Sequence, residues 1–398
     1  MSFRVYALDE LVDVKGGGTP SKKISSYWKG NIPWATVKDL KSREINQTED
    51  YISSEGVVHS ATNIIPSGTI IVPTRMALGK VAIAGLDLAI NQDLKALIIK
   101  SPQRVDKNYL ARFLESQAHN IVKKGKGATV KGITLDVLKT LEVPLPPLPV
   151  QKQIAAVLEK ADNLRQQSKK MEQELGDLEE SIFIEVHSNA AKQNHQFKDI
   201  VLKTKHSFVN GPFGSDLLSS ELTTSGVPVI YIRDIAKGEF IRKKEVFVTN
   251  DKALSLSACS VTSTDVLVAK VGDPPGTAAI YPPSMPDGIV TQDVIRMKCD
   301  KNVVLPEYLV AYLNSDIGRH SLKIITVQAT RSRIGLGDFK KLEICLPDID
   351  RQIMIVSKLQ KIRELVLQSR KRTDEFCRNF KSLMQRAFKG ELDLKDVA

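Results

Sequence analysis

Two stretches of this chain repeat apolar residues at alternating three- and four-residue steps. The first runs through Ile154, Val157, Ala161, Leu164, Met171, Leu175 and Leu178, with Ser168 in its one polar slot. The second runs through Ile355, Leu359, Ile362, Val366, Phe376 and Phe380, with Ser369 and Thr373 between. This alternation is a heptad seam and predicts two long helices. A stripe so narrow calls for a partner helix. Prolines bound both helices: Pro144-Leu145-Pro146-Pro147-Leu148-Pro149 precedes the first and Leu346-Pro347 the second. Each helix is expected to span about 37 residues and so about 55 Å. Residues 151–187 carry a net charge of −3 and residues 350–389 one of +7. Opposite charge favours pairing of the two helices with each other over packing of each on its own domain.

The remaining sequence reads as mixed α and β. Thr69-Ile70-Ile71-Val72, Val81-Ala82-Ile83-Ala84 and Ala96-Leu97-Ile98-Ile99 have the look of short buried strands, and so do Val266–Ala269, Ala278–Tyr281 and Val294–Met297. A helix follows each set, with Leu110, Phe113, Leu114 and Ile121 on one face in the first and Leu309, Tyr312, Leu313 and Ile317 in the second.

These two sets belong to one repeat. Ile32-Pro33-Trp34-Ala35-Thr36-Val37-Lys38-Asp39-Leu40 returns as Val227-Pro228-Val229-Ile230-Tyr231-Ile232-Arg233-Asp234-Ile235. Asn91-Gln92-Asp93 returns as Thr291-Gln292-Asp293, Tyr109-Leu110 as Tyr308-Leu309, and Leu141-Glu142 as Leu342-Glu343. The offset drifts only from 195 to 201 residues, too long for a solenoid unit. The expected fold class is α+β: two similar mixed α/β domains in pseudo-two-fold arrangement, separated by two long antiparallel coiled-coil helices. The expected boundaries are residues 1–146 and 189–346 for the domains, 147–188 and 347–390 for the helices, and 391–398 for a tail.

Composition narrows the chemistry. A formal net charge of +11 and a pI near 9.3 suggest a polyanionic partner. The four cysteines are scattered and the six histidines lack ligand spacing, which argues against a disulfide framework and against a metal site. Gly16-Gly17-Gly18-Thr19-Pro20-Ser21 lacks the lysine and spacing of a phosphate-binding loop. Gly272-Asp273-Pro274-Pro275-Gly276 approaches the Asp-Pro-Pro-aromatic signature of amino-methylating DNA methyltransferases, but Gly276 stands where an aromatic would stack on a flipped base. It is read as a turn, and no catalytic residue is expected. Met1-Ser2-Phe3-Arg4 leads into mixed sequence without a secretory pattern, and no apolar run is long enough for a membrane span, so a cytoplasmic location is expected.

Several motifs together resemble the specificity subunit of type I restriction-modification systems. They are Gly18-Thr19-Pro20-Ser21, Tyr27-Trp28, Gly30, Ile32-Pro33-Trp34 and Asp39; Pro146-Pro147-Leu148 with Gln151 and Gln153-Ile154; Pro347 with Arg351-Gln352-Ile353; and Leu383-Met384-Gln385-Arg386-Ala387-Phe388-Lys389-Gly390-Glu391-Leu392. The second domain departs more, with Gly211-Pro212-Phe213-Gly214-Ser215 in place of the Thr-Pro-Ser pattern and Val229 in place of Trp34. The resemblance implies a subunit without chemistry of its own. Each domain would read one part of a split site in double-stranded DNA, and the coiled coil would set the gap. Two modification subunits carrying S-adenosylmethionine would dock on the helices, and two restriction subunits using ATP and Mg would be optional additions. No cofactor is expected on this chain.

Candidate DNA contacts are basic or hydroxyl residues in loops at matching places: Lys22, Lys38, Lys126, Thr129 and Lys131 in the first domain, and Arg233, Lys270, Thr330, Arg331 and Arg333 in the second. Lysines suit phosphates, and an arginine can read guanine. For each, the alternative is a solvated surface charge. For the whole chain, the alternatives are a DNA methyltransferase acting alone and a coiled-coil scaffold that binds only proteins.

Overall fold

The structure is a computed structural model that describes residues 3–127, 131–189, 191–212, 214–236 and 238–393. The chain divides into two units, Met1–Lys170 with Lys371–Ala398, and Met171–Arg370. Two helices of 41 residues each, Leu148–Ser188 and Ile349–Lys389, contribute one half to each unit. At the α-helical rise each is about 60 Å long.

Each unit contains two small sheets and a two-stranded clamp. In the first unit one sheet orders Val12–Gly16, Leu94–Ile99, Ile70–Pro73, Ala82–Ala84 and Glu44–Ile45, and the other Asp50–Ile52, Ile32–Ala35, Leu88–Ile90 and Ile64–Ile65. The second unit repeats the plan, with Phe208–Asn210, Val294–Met297, Val266–Ala269 and Ala278–Ile280 in one sheet, and Phe247–Val248, Val227–Ile230, Gly288–Val290 and Ser260–Val261 in the other. In both, the central pair of the second sheet is parallel: Ile32–Ala35 beside Leu88–Ile90, and Val227–Ile230 beside Gly288–Val290. The strands expected from sequence are present, and the expected helices form as Lys107–Ser116 with Ala118–Lys123 and Pro306–Asn314 with Asp316–Ile324. The clamps pair Val5–Ala7 with Glu142–Pro144 and Gln193–Gln196 with Glu343–Leu346, so each domain closes on itself just before a long helix begins.

A buried glutamine then fixes each helix to its domain. Gln151 is fully buried; its Oε1 accepts from Asp106 N at 2.9 Å, and its Nε2 donates to Arg104 O at 2.9 Å and Pro146 O at 2.8 Å. Gln352 repeats the set with Leu305 N, Val303 O and Pro347 O at 2.9, 3.0 and 2.9 Å. The helix ends also enter the domain cores. Ile154, Ala155, Leu158, Met384 and Ala387 pack with Tyr109, Leu110 and Phe113 in the first unit; Phe183, Ile355 and Leu359 pack with Tyr308 and Leu309 in the second. Packing on the domain and packing of helix on helix therefore coexist, at the ends and in the middle respectively.

Within each unit the helix halves run antiparallel. In the first, Ser168 Oγ meets Thr373 Oγ1 at 2.8 Å, and Phe380 lies under the Arg165 guanidinium at 5.1 Å. In the second, Glu172 takes Arg370 Nε at 3.1 Å and Glu179 takes Arg363 Nε at 2.6 Å. On the second helix the seam follows the expected track, with Ile355, Leu359 and Ile362 buried and Val366, Phe376 and Phe380 half-buried. On the first helix the expected track is corrected. Ile154 is buried and Val157, Ala161 and Leu175 are half-buried, but Leu164, Met171 and Leu178 are 43%, 52% and 45% exposed. The facing line lies one residue later, through Leu158, Asp162, Arg165, Glu172 and Glu179; one residue is about 100° around a helix. Charged residues hold these slots because each has a partner. Asp162, for example, accepts from Arg112 Nη1 at 2.9 Å and Arg165 Nη2 at 2.6 Å. Burial alone would raise its pKa, but these arginines more than offset that and hold it below the usual carboxylate range.

Two expectations follow. Gln352→Ala strands one N–H and two carbonyls away from water, so urea denaturation should show a loss of about 3 kcal/mol. His187 is buried, is hydrogen-bonded to the Tyr308 hydroxyl and stacks on Phe183 at 5.6 Å; burial pushes its pKa from 6.5 down to about 4. The unfolded imidazole takes up its proton first as pH falls. The stability His187 contributes is therefore complete above about pH 6.5 and is lost progressively towards about pH 4, by up to about 3 kcal/mol. Denaturation curves of His187→Phe should show a correspondingly flatter fall over that window.

Candidate nucleic-acid interface

The repeated Asp of the first motif is a backbone tie. Buried Asp39 accepts from Thr36 N at 2.7 Å and Glu49 N at 2.9 Å, closing a tight turn after the strand Ile32–Ala35. Asp234 does the same with Tyr231 N and Lys243 N at 3.1 and 3.2 Å. Each turn leaves a basic residue exposed at its crest, Lys38 in the first unit and Arg233 in the second, the latter stacked over the Tyr231 ring at 4.0 Å.

The Asn91-Gln92-Asp93 loop leaves the neighbouring parallel strand at the same end of the sheet, with Asn91 N bonded to Ala35 O at 3.0 Å and, in the repeat, Thr291 N to Ile230 O at 2.9 Å. The glycine-rich loop lies against it. A Cβ on Gly17 would sit 2.1 Å from Ile90 O, and one on Gly211 2.2 Å from Val290 O, so only glycine permits this approach. Gly18 N bonds to Ile90 O at 3.0 Å, Trp34 Nε1 donates to Gly18 O at 3.1 Å, and the Thr19 hydroxyl donates to Gln92 Oε1. Lys95 Nζ donates to Gln92 O at 2.8 Å, and burial lowers its pKa.

A third segment joins this edge from far along the chain. In the first unit Thr74 N bonds to Asp93 O at 2.8 Å, Ile133 N to Thr74 O at 2.9 Å, and Met76 N to Lys131 O at 3.2 Å. Arg75 thereby forms a β-bridge to Gly132, which also bridges to Lys126. The second unit repeats the arrangement: Lys270 N to Asp293 O at 2.8 Å, Ile334 N to Lys270 O at 3.0 Å, and Gly272 N to Ser332 O at 3.1 Å, with Val271 bridged to Arg333. Lys126 and Lys131 are thus brought together beside the Gln92 loop, and in the second unit Lys270 and Arg333 lie beside the Gln292 loop at the positions of Thr74 and Gly132. Thr330 and Arg331 lie exposed on the loop between the short strands Thr326–Val327 and Arg333–Ile334. Lys22 is exposed on the turn after Pro20, and Thr129 lies outside the described residues.

Arg75 escaped the sequence reading. Its side chain is 57% exposed, and its Nη1 lies 3.7 Å from Oδ1 of the buried Asp93. The signal was the Asp of the repeated Asn-Gln-Asp, but nothing local shows which cation meets it. The Asp273-Pro274-Pro275-Gly276 segment is the turn between Val266–Ala269 and Ala278–Ile280, with Gly276 buried; a Cβ there would meet Leu322 Cδ1 at 2.4 Å. Among the described residues no group of three His, Cys, Asp or Glu is placed to hold a metal ion, and no helix is long and apolar enough to cross a membrane.

Comparison with known proteins gives a consistent answer. The family model described as type I restriction modification DNA specificity domain matches residues 2–176. The specificity subunit of the Escherichia coli type I restriction enzyme EcoR124I/EcoR124II is 34% identical over 164 residues, 39% of this chain and 40% of that protein. The MjaIX specificity subunit of Methanocaldococcus jannaschii is 33% identical over 188 residues, 46% of this chain and 43% of that protein. The chain thus aligns with less than half the length of these two relatives. The EcoBI specificity subunit of Escherichia coli aligns almost throughout, at 20% identity over 98% of this chain and 86% of that protein. Among solved structures, the S subunit of a type I restriction-modification system from M. genitalium has a TM-score of 0.54 at 15% identity, covering 98% of this chain and 96% of that one. A chain from a structure addressing complex assembly and conformational transition of the type I R-M system has a TM-score of 0.64 at 15% identity, with 98% of each covered. These two share the fold. Residues 2–176 thus match a type I restriction modification DNA specificity domain, and alignments at lower identity to specificity subunits of type I restriction enzymes run the length of the chain.

Proposed function

We propose that this chain is the non-catalytic sequence reader of a type I restriction-modification complex, each unit recognising one half of a bipartite site in double-stranded DNA. The observation that carries this reading is the recurrence, in both units, of one backbone construction bearing different side chains. The Gln-Asp loop, the strand-end residues and the bridged segment are held by the same hydrogen bonds, yet they present Lys126 and Lys131 in one unit and Lys270 and Arg333 in the other. A shared frame suits a shared ligand, the duplex, and differing side chains suit two different half-sites. Lysines on flexible stems would take phosphates, and base edges would be read by the planar donors.

The long helices would set the gap between the half-sites and dock two methyltransferase subunits. The outward line of Leu164, Met171 and Leu178, seven residues apart on one helix face, supports docking of this kind, because three large apolar side chains left in water at that spacing match a further helix. S-adenosylmethionine would reside on the methyltransferase subunits, and ATP and Mg on restriction subunits where these join. This chain's own residues would orient the duplex and move no proton.

The test is binding and methylation by the complex reconstituted with its methyltransferase subunits. Methylation-site mapping should return one bipartite sequence, and affinity should fall steeply with salt. Lys126→Ala and Lys131→Ala should each lower the slope of log affinity against log salt by about one and leave the sequence preference intact. Affinity indifferent to salt and sequence would leave a protein scaffold as the reading, and methyl transfer by the purified chain alone would leave an enzyme. Separately, Met171→Glu with Leu178→Glu should abolish co-purification of the methyltransferase subunits while the melting temperature of the free chain stays within a few degrees.

A further inference from the structure

We infer that the β-bridge beside the Gln-Asp loop is the base-reading position of each unit, and that its reader is Arg75 in the first unit and Arg333 in the second, each addressing a guanine in its own half-site. The inference rests on the proposed recognition function and names the residues that would carry it.

Two independent observations point to this place. The first is an exchange of sides. The bridge is Arg75 with Gly132 in one unit and Val271 with Arg333 in the other. Equivalent backbone bonds align Thr74 with Lys270 and Ile133 with Ile334, so the two bridges correspond residue for residue. Each holds one arginine and one residue without a polar side chain, but the arginine comes from the strand end in the first unit and from the later segment in the second. A bridge that needed an arginine only for packing would have no reason to accept it from either strand. A surface that needs one planar, five-donor group can take it from either strand and thereby aim it at a different base step.

The second observation is the carboxylate behind Arg75. Asp93 is buried, and its Oδ1 has no hydrogen-bond partner; the Arg75 Nη1 at 3.7 Å is its ion-pair partner. Asn91 Oδ1 accepts from Asp93 N at 3.1 Å and fixes the loop. The carboxylate therefore sits under one side of the guanidinium, while more than half of the Arg75 side chain faces solvent. A buried carboxylate needs a cation to offset its lost hydration, and one guanidinium edge is enough for that. Here the anion is buried and the cation is held at the surface with donors to spare. That arrangement limits the side chain's freedom before any ligand arrives, which raises discrimination for a bidentate acceptor such as guanine O6 and N7. Asp93 is a positioning residue in this scheme.

The test uses the reconstituted complex and a randomised DNA library, sequencing the bound fraction. Wild type should select a bipartite site with a G·C pair in each half. Arg75→Ala should lose preference at one such pair by about ten- to a hundredfold, with the other half-site unchanged, and Arg333→Ala should do the converse. Arg75→Lys should not restore the preference, since lysine lacks the planar fork. Asp93→Asn should weaken the preference at the pair that Arg75 reads and add nothing in the Arg75→Ala background. A uniform loss of affinity with unchanged base preference would make these arginines phosphate contacts and overturn the inference, as would both variants altering the same half-site. Failure of wild type to select any bipartite sequence would instead bring down the recognition reading on which the inference stands.

Discussion

The arrangement of each unit hangs on one amide with no access to water. Gln151 and Gln352 use their carbonyl for one backbone N–H and their NH₂ for two backbone carbonyls. Glutamine alone combines this reach with both polarities; glutamate would set a carboxylate against two carbonyl oxygens. The consequence is rotational. Apolar packing of a helix on a domain is adaptable and tolerates modest slippage, whereas a small turn of the helix would break three buried hydrogen bonds together. Direction and register of a helix about 60 Å long are thus set at its first turn, and with them the line of residues that it presents to its antiparallel partner.

That line was half legible in the sequence. On the second long helix the buried track is apolar at Ile355, Leu359 and Ile362, and apolar periodicity found it. On the first helix the seam slots fall to Asp162, Glu172 and Glu179, each matched to an arginine. Apolar periodicity scores residues singly and is blind to a charge whose partner lies on another helix, so it settled on the neighbouring line through Leu164, Met171 and Leu178. The short strands were easier, because each is an apolar run closed by turn residues, and a buried strand such as Ile70–Pro73 can hardly be polar. The physical difference is that a strand in the core has no polar substitute, while a seam between two long helices can trade apolar contact for paired charge.

The recognition edge was legible in its frame and not in its full membership. Aligning the repeat exposed Asp39 with Asp234 and Gln92 with Gln292, and the basic residues nearest the later segment were found because glycines and charges cluster there. Arg75 was not found, because its environment is assembled by backbone bonds to Asp93, Lys131 and Gly132 that no local pattern announces. Lys22, by contrast, stood out as a charge beside the Gly18-Thr19-Pro20-Ser21 motif, yet it lies on a turn apart from those bonds.

What repeats between the halves is chiefly what holds backbone: Asp39 and Asp234, Gly17 and Gly211, Gln151 and Gln352, all in contact with main-chain atoms. What differs at the edge projects from a framework that does not depend on it. The bridges beside the Gln-Asp loops are closed by N–H and C=O groups rather than by side chains; a Cβ on Gly132 would lie 3.3 Å from Arg75 Cγ and Thr74 O, so an arginine on that side goes with a change in the residue across the bridge. Arg75 and Arg333 are exposed, and exposed substitutions usually shift stability by no more than about 0.5 kcal/mol, against about 1–3 kcal/mol of discrimination for each well-placed base contact. Sequence preference can therefore change at the bridge while the fold is untouched. That separation lets a duplicated unit read a second, different half-site without first having to find a second way to fold.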